Sequence, residues 1–198
     1  HEYPLEQFWA ADDRVEVHIG PNRFNATTVS LNIDRPDQQL FGELQFGGLT
    51  PWPKTVLSPG IMGWYSWVPT MECYHGVVSL DHAIYGELTV NGETAVFTGG
   101  RGYIEKDWGK SFPEGWVWLQ TNHFEQTGTS LTASIAKIPW QRTAFIGFIV
   151  GFWHAGRLHR FATYTGAKVE HLTVGETELS WKMSDRHHAL HIIAKRGE

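Results

Sequence analysis

The sequence predicts an all-β fold of antiparallel strands, a barrel or a sandwich. Three observations carry this: hydropathy alternates with period two along the chain, turn residues recur between the alternating runs, and no long stretch shows a helical period. Composition agrees. The 198 residues include 10 Trp, 11 Phe and 21 Gly with only 19% charged residues, a chain of rigid flat side chains and tight bends.

The elements follow in order. Residues 14–19 and 28–34 alternate polar and apolar around the Gly20-Pro21-Asn22 turn and are expected to form a hairpin. Residues 38–46 read as a third strand, residues 47–59 as a glycine- and proline-punctuated loop, and a further strand region is expected from Ile61. Asn91-Gly92 joins two alternating runs and is the strongest hairpin signal, because both residues accept the positive φ of a type I′ turn. Beyond it, strands are expected over residues 101–107, 116–125, 130–138, 145–153, 157–164, 168–174, 177–183 and 189–194. A boundary near the loop at residues 109–115 would divide the chain into a first β module, residues 1–109, and a second, residues 110–198. One continuous domain is the alternative.

A net charge of −5 gives no electrostatic footprint for DNA or RNA, so nucleic acid is not an expected partner. The single cysteine, Cys73, forms no intrachain disulfide and reads as a small buried hydrophobe. The longest apolar run, residues 144–153, is far short of the twenty or so that a spanning helix requires, and the first residues lack the basic and apolar regions of a signal peptide. A cytoplasmic protein with peripheral contact at a membrane fits these features.

Chemistry concentrates between residues 99 and 122. In an extended strand Tyr103, Glu105 and Asp107 share one face, which sets two carboxyls roughly 7 Å apart beside a phenol. Against an apolar wall, desolvation and mutual repulsion would keep one of them protonated as a donor. The plainer reading makes Glu105, Lys106 and Asp107 a solvated strand end, ion-paired to Arg101 or Lys110. Trp116, Trp118, Gln120 and Asn122 fall on one face of the next strand. They form either a ligand wall in the fold's interior or, if Val117 and Leu119 face the core, a face packed on a neighbouring module, and the aromatic density and lack of proline over residues 116–124 predict a strand interior to the fold and not an exposed edge. A second concentration holds Trp64, Glu72 and His75, an acid near an imidazole. His187, His188 and His191 invite a metal reading, but alternate strand positions place only His187 and His191 on one side and no third ligand is specified, so neither a metal nor a cofactor is assigned.

The chain resembles the tocopherol cyclase-like family. The resemblance lies in SPGIMGWYSWVPTMECYHGVVSL (residues 58–80), GRGYIEKDWGKSFPEGWVWLQTNHF (100–124), IAKIPW (135–140) and RFATYTGA (160–167). It implies a lipocalin-like, two-module β architecture around a hydrophobic small molecule, with an aromatic, glycine-containing motif expected upstream of residue 1 and more β structure after Glu198. It also implies a reaction in which the double bond of a prenylated hydroquinone is protonated and the phenolic oxygen captures the tertiary cation. On that chemistry the donor is Asp107 or Glu105, with Glu72 next. The indoles of Trp108, Trp116 and Trp118 would stabilise the cation by about 0.5–2 kcal/mol apiece, Gln120, Asn122 or His75 would orient the hydroxyls, and Tyr103 and Trp64 would line the site. A carrier that binds the same ligand without reaction, and a terpenoid hydratase or isomerase, are the competing functions.

Overall fold

The computed structural model describes residues 2–69, 71–140 and 143–197. Among them fifteen strands form three antiparallel sheets, with only short 3₁₀ turns besides. The strands are β1 (Phe8–Ala10), β2 (Glu16–Ile19), β3 (Asn22–Asn25), β4 (Thr28–Asp34), β5 (Gln39–Gly47), β6 (Cys73–Val90), β7 (Glu93–Val96), β8 (Arg101–Gly109), β9 (Trp116–Thr121), β10 (Ser130–Trp140), β11 (Thr143–His154), β12 (Arg157–Ala162), β13 (Lys168–Val174), β14 (Glu178–Ser184) and β15 (Ala189–Lys195). No sheet's strand order returns to its first strand, so the antiparallel fold is realised as open sheets and not as a closed barrel.

The chain divides into two compact units, residues 1–51 with 78–105, and residues 52–77 with 106–198. The first carries most of an eight-stranded sheet in the order β1 to β7, with β8 beside β6. The turn at Asn91-Gly92 forms as its residues dictate: Val90 pairs with Glu93, and φ is 50° at Asn91 and 87° at Gly92. The expected direct hairpin of residues 14–19 with 28–34 does not form, because β3 stands between β2 and β4. Asn22 is the cause. Its buried side chain donates to the Ile19 carbonyl and the Tyr3 hydroxyl and accepts from the Asn32 amide, which draws the segment after the turn into the sheet.

In the second unit a four-stranded sheet, ordered β12-β11-β10-β9, packs on a three-stranded sheet, β13-β14-β15. Alternation sets the faces. Leu131, Ala133, Phe148, Val150 and Phe161 from one sheet meet Trp181, Met183 and Ile192 from the other, an apolar sandwich core with Leu119 and Ile135 at its margin. The opposite face of the four-stranded sheet is also covered, by residues 52–77. Trp52 is buried there against Gly151, where a side-chain Cβ would lie 2.4 Å from the indole. Tyr65 stacks on Phe145, and the Tyr164 hydroxyl donates to the Ile61 carbonyl at 2.5 Å. The strand region expected from Ile61 is therefore different in kind: Gly63–Trp67 is a 3₁₀ turn, and β6 starts only at Cys73. Gly63 sits at φ +60° with the Tyr164 ring 2.6 Å from where a Cβ would stand, so both backbone and packing reserve the position for glycine.

Candidate active site

The site is built where the start of β6 runs beside the end of β8 in the second unit. His75 of β6 meets Asp107 of β8, ring Nδ1 to carboxylate Oδ1. The imidazole is 16% exposed and the carboxyl 41%, so the pair has one sheltered member and one that solvent reaches. The backbone amide of His75 donates to the Met62 sulfur at 3.1 Å.

Adjacent residues of a strand point to opposite sides, and that separates Trp108 from Asp107. Trp108 stacks on Tyr74 at 5.6 Å between ring centroids and carries the Lys106 ammonium 4.6 Å from its ring centre. The Tyr74 hydroxyl is tied to the Val68 carbonyl at 3.0 Å. The indole expected beside the acid is thus part of a stack on the other face of β8, with one cation already over it.

Glu72 takes part in the turn after β8. Its carboxylate accepts from the Ser111 hydroxyl, and its carbonyl accepts from the Lys110 amide at 2.8 Å. Gly109 makes this possible: a Cβ there would lie 2.1 Å from the Glu72 carbonyl oxygen. Cys73 is half-buried, and burial, with the Asp107 charge second, raises its thiol pKa above the ordinary value, which keeps it a poor nucleophile.

In the first unit the Tyr103 hydroxyl donates to the Glu105 carboxylate at 2.5 Å, so Tyr103 and Glu105 do share a face of β8, as their spacing requires. Arg101 is taken by neither Glu105 nor Asp107. Its guanidinium grips the buried Asp81 carboxylate at both oxygens, with Nε 3.1 Å from Oδ1. Beside this pair sits buried His82, Nδ1 3.1 Å from the Ser79 hydroxyl and its ring tilted against Phe46 at 4.6 Å between centroids, with desolvation holding its pKa below the usual histidine value. Gly102 admits this ring, since a Cβ there would lie 2.2 Å from His82 Nε2.

The Trp116 to Phe124 segment, expected inside the fold, lies at an edge: β9 is the terminal strand of its sheet. The reason is its other face. Leu119 packs on the sandwich core, which turns Trp116 and Trp118 outward opposite the small residues Ala136 and Ser134, with both indoles substantially exposed. Gln120 bonds to Asn122, which also accepts from Ser130 at 3.1 Å. Trp64 lies in the 3₁₀ turn, stacked on Tyr65. Of the histidines near residue 190, His191 faces Ser180, while His188 meets His159 and His187 edge-on at 5.1 and 6.2 Å between centroids. A polar concavity of about 660 Å³ between the ends of β4 and β5, lined by residues 34–39 and Asn91, contains none of the acid or aromatic candidates.

With this geometry in hand, the comparisons with known proteins decide the family. The family model described as tocopherol cyclase-like matches residues 36–196. The chain belongs to the tocopherol cyclase-like family. The tocopherol cyclase of maize (Zea mays), named as chloroplastic, is 30% identical over 142 residues, which is 69% of this chain and 29% of that protein. A probable tocopherol cyclase of rice (Oryza sativa subsp. japonica), also named as chloroplastic, is 29% identical over 108 residues, 52% of this chain and 23% of that protein. The chain thus spans less than a third of the length of these curated relatives. No solved structure matches it. The matched region of this family member contains all of the β6 and β8 residues just described, together with Trp52, Gly151 and Tyr164, which sequence reasoning passed over. Paired glycines four apart in β11, Gly147 and Gly151, were the available signal for a face that receives a bulky partner.

Proposed function

We propose that the chain acts in the acid-initiated cyclisation of a prenylated hydroquinone, with Asp107 as the proton donor. The observation that carries this reading is the His75–Asp107 pair, set in a stretch shared with proteins named tocopherol cyclases.

In the protonated acid, Asp107 holds its proton on one oxygen while the His75 Nδ1–H donates to the other. The acid gives its proton to the less substituted carbon of the prenyl double bond, and the tertiary cation forms at its neighbour. The phenolic oxygen closes on that cation, forming the new C–O bond, and its proton returns to the Asp107 carboxylate. Nothing is oxidised or reduced, and the product is an isomer of the substrate. His75 favours the transfer because its N–H bond strengthens as negative charge grows on the carboxylate. Glu105, one pleat back along β8 and held by Tyr103, is the alternative donor. A carrier of the same ligand would bind it without any dependence on the Asp107 proton. Hydration of a terpenoid double bond is the second reading, and the partial exposure of Asp107 favours it, since water near the cation would capture it first.

Asp107→Asn tests the assignment. The amide keeps the size and the hydrogen bond to His75 but delivers no proton to carbon, so turnover of a prenylated hydroquinone falls by about 10²–10⁴ while binding stays within several-fold. Glu105→Gln is the paired variant, expected to keep most of the rate. Full activity in Asp107→Asn with loss in Glu105→Gln would move the donor to Glu105. Recovery of a hydrated alcohol in place of the chroman would select hydration.

A further inference from the structure

The second unit carries an apolar projection that the reaction does not use. Residues 51–71 contain one charged side chain, Lys54, and no acid, in a chain whose net charge is −5. Within this segment Thr55 and Ser58 close a tight turn by reciprocal backbone bonds, Thr55 N–H to the Ser58 carbonyl at 2.9 Å and Ser58 N–H to the Thr55 carbonyl at 3.1 Å. That pairing holds Val56 and Leu57 at the tip, 86% and 81% exposed. Trp67 braces it, its Nε1–H donating to the Val56 carbonyl at 3.2 Å while its indole stays 65% exposed. Arg160 reaches the Ser58 hydroxyl at 3.4 Å, and Trp52 anchors the start of the segment in its buried seat on Gly151. Two aliphatic side chains are therefore presented to solvent by a turn that is bonded in place, where burial against the protein was available to their neighbours.

We propose that this turn is a membrane-surface contact, with Val56 and Leu57 entering the acyl region of a lipid bilayer, Trp67 at headgroup depth, and Lys54 against lipid phosphates. The chemistry selects a bilayer over a protein partner. An exposed indole beside an aliphatic tip, with a cation and no acid, matches the layered polarity of a lipid surface. A stable protein interface needs about 800 Å² from each side, which a two-residue convex tip does not offer. The proposal does not depend on which reaction the chain performs.

Co-sedimentation with lipid vesicles tests it, using phosphatidylcholine alone and phosphatidylcholine mixed with phosphatidylglycerol. The unsubstituted protein is expected to sediment with both, more strongly with the anionic mixture. The double variant Val56→Ser/Leu57→Ser should lose at least about tenfold in vesicle partitioning, since two aliphatic side chains no longer leave water. Its unfolding midpoint should be unchanged, because both side chains already lie in solvent. Lys54→Glu should weaken binding to the anionic vesicles more than to the neutral ones. The proposal is overturned if the unsubstituted protein sediments with neither vesicle, or if the double variant sediments as the unsubstituted protein does. A change in oligomeric mass in the double variant with vesicle binding intact would assign the turn to a protein contact and overturn it equally.

Discussion

At the scale of single residues, the fold commits buried polar groups in pairs. Asp81 and His82 are both buried, and each has an assigned partner, Arg101 for the carboxylate and Ser79 for the ring. His82 gives a pH prediction whose sign follows from its depressed pKa. The unfolded chain takes up a proton near the ordinary histidine value of about 6.5, and the folded chain only at lower pH. Stability contributed by the neutral ring is thus full above about pH 6.5 and is lost as pH falls through the folded value. Denaturant unfolding measured at pH 7.5 and again about two units lower should show His82→Gln losing less stability on acidification than the unsubstituted protein. An equal loss in both would mean that His82 does not sense the change. His159, whose pKa is also lowered, chiefly by desolvation, keeps part of the slope in the variant.

At the scale of elements, the alternating strands were legible and the segments that cover them were not. β4, β5, β10 and β13 to β15 fall close to where period-two hydropathy sets them, because each has one face in a core and one toward solvent or a neighbour. The stretch from Ile61 looked like a strand since it is rich in aromatic residues, yet glycine at φ +60° and the Tyr164 ring turn it into a 3₁₀ segment lying on the sheet. For β9, aromatic density suggested an interior position. Periodicity could not say which of its two faces met the core, and the aliphatic one did. Of the candidate site, the shared face of Tyr103 and Glu105 was readable from spacing, while the pairing of His75 with Asp107 required knowing that β6 and β8 lie side by side. The Trp52–Gly151 seat gives the element-scale prediction. Gly151→Ala places a methyl group 2.4 Å from the indole and should cost about 1–3 kcal/mol in urea unfolding. Gly115→Ala, where a Cβ meets nothing within 4 Å, should stay within about 0.5 kcal/mol. Equal stability of the two variants would show that residues 52–77 do not hold this position on the sheet.

At the scale of the whole molecule, the chain belongs to the tocopherol cyclase-like family while spanning less than a third of its curated plant relatives. No helix among the described residues is long and apolar enough to cross a membrane. The central proposal is that a side chain of this protein protonates a prenyl double bond and that the phenol, not water, captures the cation. Incubation with a prenylated hydroquinone in D2O tests it in one product. Asp107 is open enough to exchange with solvent, so a proton delivered from it would be a deuteron. Mass spectrometry should then find a chroman isomeric with the substrate and carrying one carbon-bound deuterium, at the former alkene CH. A chroman without deuterium, or no product beyond that formed in the absence of protein, would contradict the account.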